Sequence, residues 1–157
     1  MGITPGDLKP VDGVKLLAMQ LRTRSRSGAN WFYWIAGLSL LNSLSGLIGS
    51  RFQFVIGLGI TQFADSLVKG SGANPGLGLA FDLFAAGMFA MFGYLCRQRM
   101  TRAFYVGMIL YLLDGLLFLL FKDVISIGFH LYALFWIFKG MKANEELLKL
   151  EAAGSPA

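Results

Sequence analysis

From Trp31 onward the chain consists of long uncharged runs separated by short clusters of charge, rather than single apolar positions recurring at helical spacing. Runs of that kind are membrane spans, because crossing a hydrocarbon core takes about 20 apolar residues, whereas a soluble helix shows one apolar stripe. The pattern predicts four spans, over residues 31–49, 76–96, 103–121 and 124–138. The first opens on Trp31, Phe32, Tyr33 and Trp34, rings of the kind that settle at a membrane interface. The fourth is a little short and is joined to the third by Lys122 and Asp123, a very tight turn.

Residues 52–69 are apolar but interrupted by Gln53, Gly57, Gly59, Thr61, Gln62 and Asp65, with Lys69 one turn beyond Asp65 as an i, i+4 partner. That mixture predicts an interfacial or re-entrant helix of the outer leaflet. A turn-rich loop, Gly70 to Pro75, follows it. Flanking the membrane domain of residues 31–139, the pattern predicts two polar pieces. Residues 1–30 read as a cytoplasmic arm lying on the membrane surface, with a short, modestly amphipathic helix from Val11 to Gln20 and the basic run Arg22, Arg24 and Arg26. Residues 140–157 read as a charged cytoplasmic tail, helical from Met141 to Ala153. The expected fold is therefore an all-α membrane bundle of four spans with one extra outer-leaflet helix and short terminal helices.

Charge fixes the expected orientation. Placing the N-terminus inside leaves only Arg51, Lys69 and Lys122 outside and keeps the other eleven of the 14 Lys and Arg in the cytoplasm. A fifth full span at 52–69 would move the Arg97, Arg99 and Arg102 cluster to the wrong face. The net charge of +5 lies beside hydrophobic runs, where anionic headgroups account for it without nucleic acid. The first apolar stretch, Leu16 to Leu21, is too short for a cleavable signal peptide and runs into three arginines, so the N-terminus is expected to be retained. Short loops and the absence of targeting signals point to a bacterial inner membrane. The single cysteine, Cys96, excludes an internal disulfide and a CxxC site.

Against this apolar background three ionisable residues stand inside spans: Asp82, Asp114 and His130. Each costs a few kcal/mol in hydrocarbon, and so needs a partner, a cavity or a task. Each lies six or seven residues from the outer end of its helix, about 10 Å below the outer surface at a helical rise of about 1.5 Å per residue. Asn42 on the first span falls at the same depth, and Gln62 and Asp65 on the outer helix are placed to reach down to it. Small residues accompany the polar ones at helical spacing, Ala86 and Ala90 with Asp82 and Ser39 and Gly46 with Asn42, which suits inward faces.

A converging layer of Asp82, Asp114, His130, Asn42, Gln62 and Asp65 has several uses. A binding, transport or sensing site for a cation or small polar ligand would draw charge from Asp82 and Asp114 and a ligand or proton switch from His130, with a divalent cation held by those three as its cofactor. A transporter this small would need a homo-oligomer or a larger membrane complex. An intramembrane hydrolase would use Asp82 and Asp114 as paired carboxylates. In size and in its four-span layout with both ends inside, the chain is similar to lipoprotein signal peptidases. Its Phe63–Leu67, FADSL, follows the first span instead of lying near the last, and the expected asparagine and arginine motifs are missing, so no catalytic residue is carried over. The remaining readings are an accessory subunit packing through its Gly and Phe surfaces and a purely structural cluster, with a protonated His130 between two carboxylates.

Overall fold

The computed structural model describes residues 10–47, 58–72 and 74–154. They form five helices: α1 (Pro10–Leu47), α2 (Gly59–Ser71), α3 (Pro75–Arg97), α4 (Thr101–Phe121) and α5 (Val124–Ala152), with no strand among the described residues. Three stretches are long and apolar enough to cross a membrane, Gly76–Arg97, Thr101–Leu120 and Val124–Ala152, which marks the chain as a membrane protein. The apolar part of α1, which carries Ser39, Asn42, Ser43 and Ser45, is not one of the three.

The helix ends follow from local chemistry. Asn74 caps α3, its side-chain oxygen accepting from the Gly76 amide at 2.8 Å, with Pro75 in the first helical turn where no amide is needed. The tight turn between α4 and α5 is built as expected at Lys122 and Asp123. Lys122 takes a left-handed conformation with φ 56°, and Asp123 accepts from the Ser126 amide at 3.1 Å and from its hydroxyl at 2.6 Å. Those two donors hold the Asp123 carboxyl below the ordinary carboxylate range.

Two boundaries read from the sequence are not breaks in the structure. α1 passes through residue 30 as one helix of 38 residues, and α5 passes through residue 139 into the tail. No proline interrupts either, and the two polar extensions cover each other. Ala18 and Leu21 of the arm are buried against Ala143 and Leu147 of the tail, while Leu16, Leu17 and Met19 of the arm stay exposed. The two helices run antiparallel, and at Gly28 and Gly140 their backbones meet: a Cβ on either would lie 2.5 Å from the other's Cα. Small residues are what permit such a crossing.

Polar contacts close this end. Asn144, fully buried, donates through Nδ2 to the Thr101 hydroxyl at 2.8 Å and to the Arg99 carbonyl at 3.2 Å, while its Oδ1 accepts from Ser25 at 3.4 Å. One side chain thus ties α1, the α3–α4 turn and α5. Glu151 pairs with both Arg99 and Arg22, and these cations hold its carboxyl below the usual value. Replacing Asn144 by leucine is expected to cost about 1–3 kcal/mol, since it strands buried donors and acceptors on three elements. Thermal unfolding in mild detergent measures it, and an unchanged melting temperature would show that the knot contributes nothing.

The rest of the core packs small and aliphatic residues around a cluster of aromatic rings. Phe32 of α1 is ringed by Phe89 and Phe92 of α3 and Phe104 of α4 at centroid distances of 6.1–6.4 Å. Gly107 makes room for it, because a Cβ there would meet the Phe32 ring at 2.6 Å. α1 packs mainly against α5 and α3, α4 against α5, and α2 against α3 and α4. Of the helix expected over 52–69, residues 52–57 lie outside the described ones, and α2 begins at Gly59 after Leu58.

Candidate functional site

α2 starts without a cap of its own. Leu58 occupies the N-cap position and has no side-chain acceptor, which leaves the first amides of α2 to find one elsewhere. They find it on α4. Asp114 Oδ2 accepts from the Gly59 amide at 2.9 Å and Oδ1 from the Ile60 amide at 2.8 Å. A carboxylate at a helix amino end is favoured by the helix dipole as well as by the hydrogen bonds.

The same Asp114 Oδ2 lies 2.9 Å from His130 Nε2, with the two side chains 4% and 3% exposed. On the opposite side of the ring, Nδ1 is 2.9 Å from the Ser126 carbonyl oxygen of the preceding turn of α5. A carbonyl can only accept, so Nδ1 carries a hydrogen; the remaining proton lies on the line between Nε2 and Oδ2. The ring is clamped by stacking on Tyr111 at 4.3 Å and 18° and by Phe118 at 5.1 Å. Gly115 faces its edge, where a Cβ would come within 3.0 Å of Cδ2. Both ring nitrogens are therefore engaged inside the protein.

Two members of the expected layer are joined by a hydrogen bond. Asp114 and His130 meet directly, and the second partner of the histidine is the Ser126 carbonyl rather than a second carboxylate. Asp82 is buried on α3 at 2% exposure and is not left without a partner, but the hydrogen bonds of Asp114 run to His130, Gly59 and Ile60. Asn42 is half-buried on α1 with an Oδ1 that no described group satisfies, and the hydroxyl of the neighbouring Ser39 is buried in the same condition. Gln62 lies half-buried on α2, and the Asp65 side chain lies outside the described residues. No group of three or more His, Cys, Asp and Glu is arranged to hold a metal ion among the described residues.

Beside this pair is a cleft of about 310 Å³ between α2, α3 and α4. Ile60, Met88, Phe89, Leu110, Leu113 and Leu117 line it, and Asp114 is its one polar wall residue. Sequence reasoning did not find this cleft or the capping role of Asp114. One signal was present: a helix opening Leu58-Gly59-Ile60-Thr61 with no Ser, Thr, Asp or Asn at its cap must borrow an acceptor from another helix. Compared with protein-family models, curated proteins and solved structures, the chain matches none of them.

Proposed function

We propose that the chain is a four-span protein of a bacterial inner membrane, with both termini in the cytoplasm, which binds an apolar ligand bearing one hydrogen-bond donor. The observation that carries this reading is the position of Asp114 in the wall of an otherwise apolar cleft. A carboxylate offers about four acceptor sites, and Gly59, Ile60 and His130 use three of them. The fourth suits a hydroxyl or ammonium group at the end of an aliphatic or aromatic body. The volume of 310 Å³ falls at the lower end of small-molecule sites, whose walls are mostly apolar with a few placed polar groups.

This keeps the binding or sensing role expected from the sequence and changes the ligand class. A free cation would have to draw on Asp114 and His130, whose polar atoms are largely committed to each other, to the Gly59 and Ile60 amides and to the Ser126 carbonyl. Hydrolysis by paired carboxylates gains no support either, because Asp114 is occupied by an imidazole and two amides.

The test is the melting temperature of the protein in nanodiscs loaded with equal mole fractions of dodecane, dodecanol or dodecylamine. Dodecanol or dodecylamine is expected to raise it by about 3 °C over dodecane, corresponding to a ligand concentration about tenfold above its Kd. Leu113→Trp, which fills the cleft from α4, is expected to abolish the difference. Equal responses to all three compounds would sink the proposal.

A further inference from the structure

A second cavity lies at the other end of the molecule, where the arm of α1 meets the tail of α5. It encloses about 470 Å³ between Arg24 and Ser27 on α1 and Trp136, Lys139 and Lys142 on α5, with Gly140 in its wall. We infer that this groove holds the headgroup of an anionic phospholipid, a site separate from the Asp114 cleft and independent of it.

The first argument is charge. Arg24, Lys139 and Lys142 converge on one cavity, against Glu146 as its acidic lining residue. Lys142 is shared with Glu145 at 2.9 Å and is partly committed, while Arg24 and Lys139 form no ion pair among the described residues. Ser27 adds a hydroxyl that can donate to a phosphate oxygen.

The second argument is position. On α5 the groove sits where the uncharged run ends and the charged one begins, at Phe138, Lys139 and Lys142. Lys139 lies over the rings of Phe135 at 4.9 Å and Trp136 at 5.3 Å. Toward the apolar side an aromatic wall continues, Trp136 against Tyr132 at 6.3 Å and Tyr132 against Trp31 at 5.4 Å. Aromatic rings and basic groups in that order match a lipid's glycerol region followed by its phosphate. A soluble anion would use the cations but leave the aromatic wall without a role, and this continuity selects the lipid.

The third argument is shape. Glycine at 140 holds the two backbones in contact, so the wall there is main chain that no side chain can fill.

The test uses the full chain in nanodiscs of phosphatidylcholine containing phosphatidylglycerol as the minor lipid, extracted in mild detergent, with retained lipid counted by mass spectrometry. Phosphatidylglycerol is expected to be enriched about tenfold over its share of the bilayer. The triple variant Arg24→Ala/Lys139→Ala/Lys142→Ala should bring enrichment close to parity. Arg26→Ala/Arg97→Ala/Arg102→Ala, which removes equal charge elsewhere at the same end, should retain it, and excess inorganic phosphate should leave it unchanged. Ser27→Glu, which places an anion in the groove while keeping every cation, should also lower the enrichment, and it decides the matter if the triple variant loses its helical circular dichroism. Parity in the wild type, equal loss in both triple variants, or displacement by inorganic phosphate would each overturn the assignment, the last by revealing a soluble-anion site.

Discussion

Replacing Gly28 by alanine is expected to lower the melting temperature, although alanine is the better helix former by about 1 kcal/mol. The opposing effect is steric. The new methyl carbon would stand 2.5 Å from Gly140 Cα and 3.1 Å from both the Gly140 nitrogen and the Trp136 carbonyl oxygen. These are main-chain atoms that no rotamer change can move away, so the helices must separate, at a cost of about 1–3 kcal/mol or more for an overpacked contact. Separation would also loosen the burial of Ala18, Leu21, Ala143 and Leu147 beyond the crossing and the Asn144 knot beside it. Gly28→Leu should prevent the antiparallel pairing altogether. Gly37→Ala supplies the control, since a Cβ there meets nothing within 4 Å. It is expected to be neutral or to stabilise by up to about 1 kcal/mol. Thermal unfolding of the three variants in one detergent separates the effects, and a Gly28→Ala protein as stable as wild type would mean that the crossing is not held in solution as described.

The all-helical membrane character was legible because charge is confined to short clusters, and a pattern repeated over whole spans survives any local ambiguity. The turn at Lys122 and Asp123 was legible for a similar reason: both span ends abut it, which leaves no other residues to make the connection. The continuity of α1 and α5 was not. A change in composition at residue 30 looks like a boundary, and Ser27, Gly28 and Asn30 are residues of capping type, yet composition and cap chemistry permit a break without forcing one, and with no proline there α1 runs straight through. The pairing of arm and tail was hidden for another reason. Ala18, Leu21, Ala143 and Leu147 are a sparse apolar stripe, too weak to announce a core until the crossing at Gly28 and Gly140 brings the two stripes together.

The polar residues divide along the same line. Depth can be counted along a helix, so placing Asp114 and His130 close together followed from the topology, and they do touch. Direction around a helix and demand from the backbone cannot be counted in that way. Asp114 turned out to serve α2 through its amides, a need created by an uncapped helix start more than 50 residues earlier in the chain. His130 turned toward the Ser126 carbonyl, one turn back on its own helix, which sequence spacing allowed but did not single out.

That division of roles predicts an asymmetry between two residues that share one hydrogen bond. Asp114→Ala should be the most damaging polar substitution in the membrane region, because it strands the Gly59 and Ile60 amides and His130 Nε2 at once. A buried donor left unsatisfied costs about 1–3 kcal/mol, so three of them should together cost about 3–5 kcal/mol or more. His130→Phe should cost less, about 1–2 kcal/mol. Its ring can still fill the space between Tyr111 and Phe118, and Asp114 keeps two amide donors and the amino end of α2. Adding His130→Phe to Asp114→Ala should then cost little more than Asp114→Ala alone, since the stranded imidazole is gone and only the α2 amides remain unsatisfied. Limited proteolysis within residues 59–71 supplies the local readout: cleavage should increase with Asp114→Ala and with the double variant, and remain close to wild type with His130→Phe. If His130→Phe instead releases α2 as readily as Asp114→Ala, the contact with the imidazole rather than the helix cap is what fastens α2. The cleft beside Asp114 would then depend on the histidine as much as on the carboxylate that lines it.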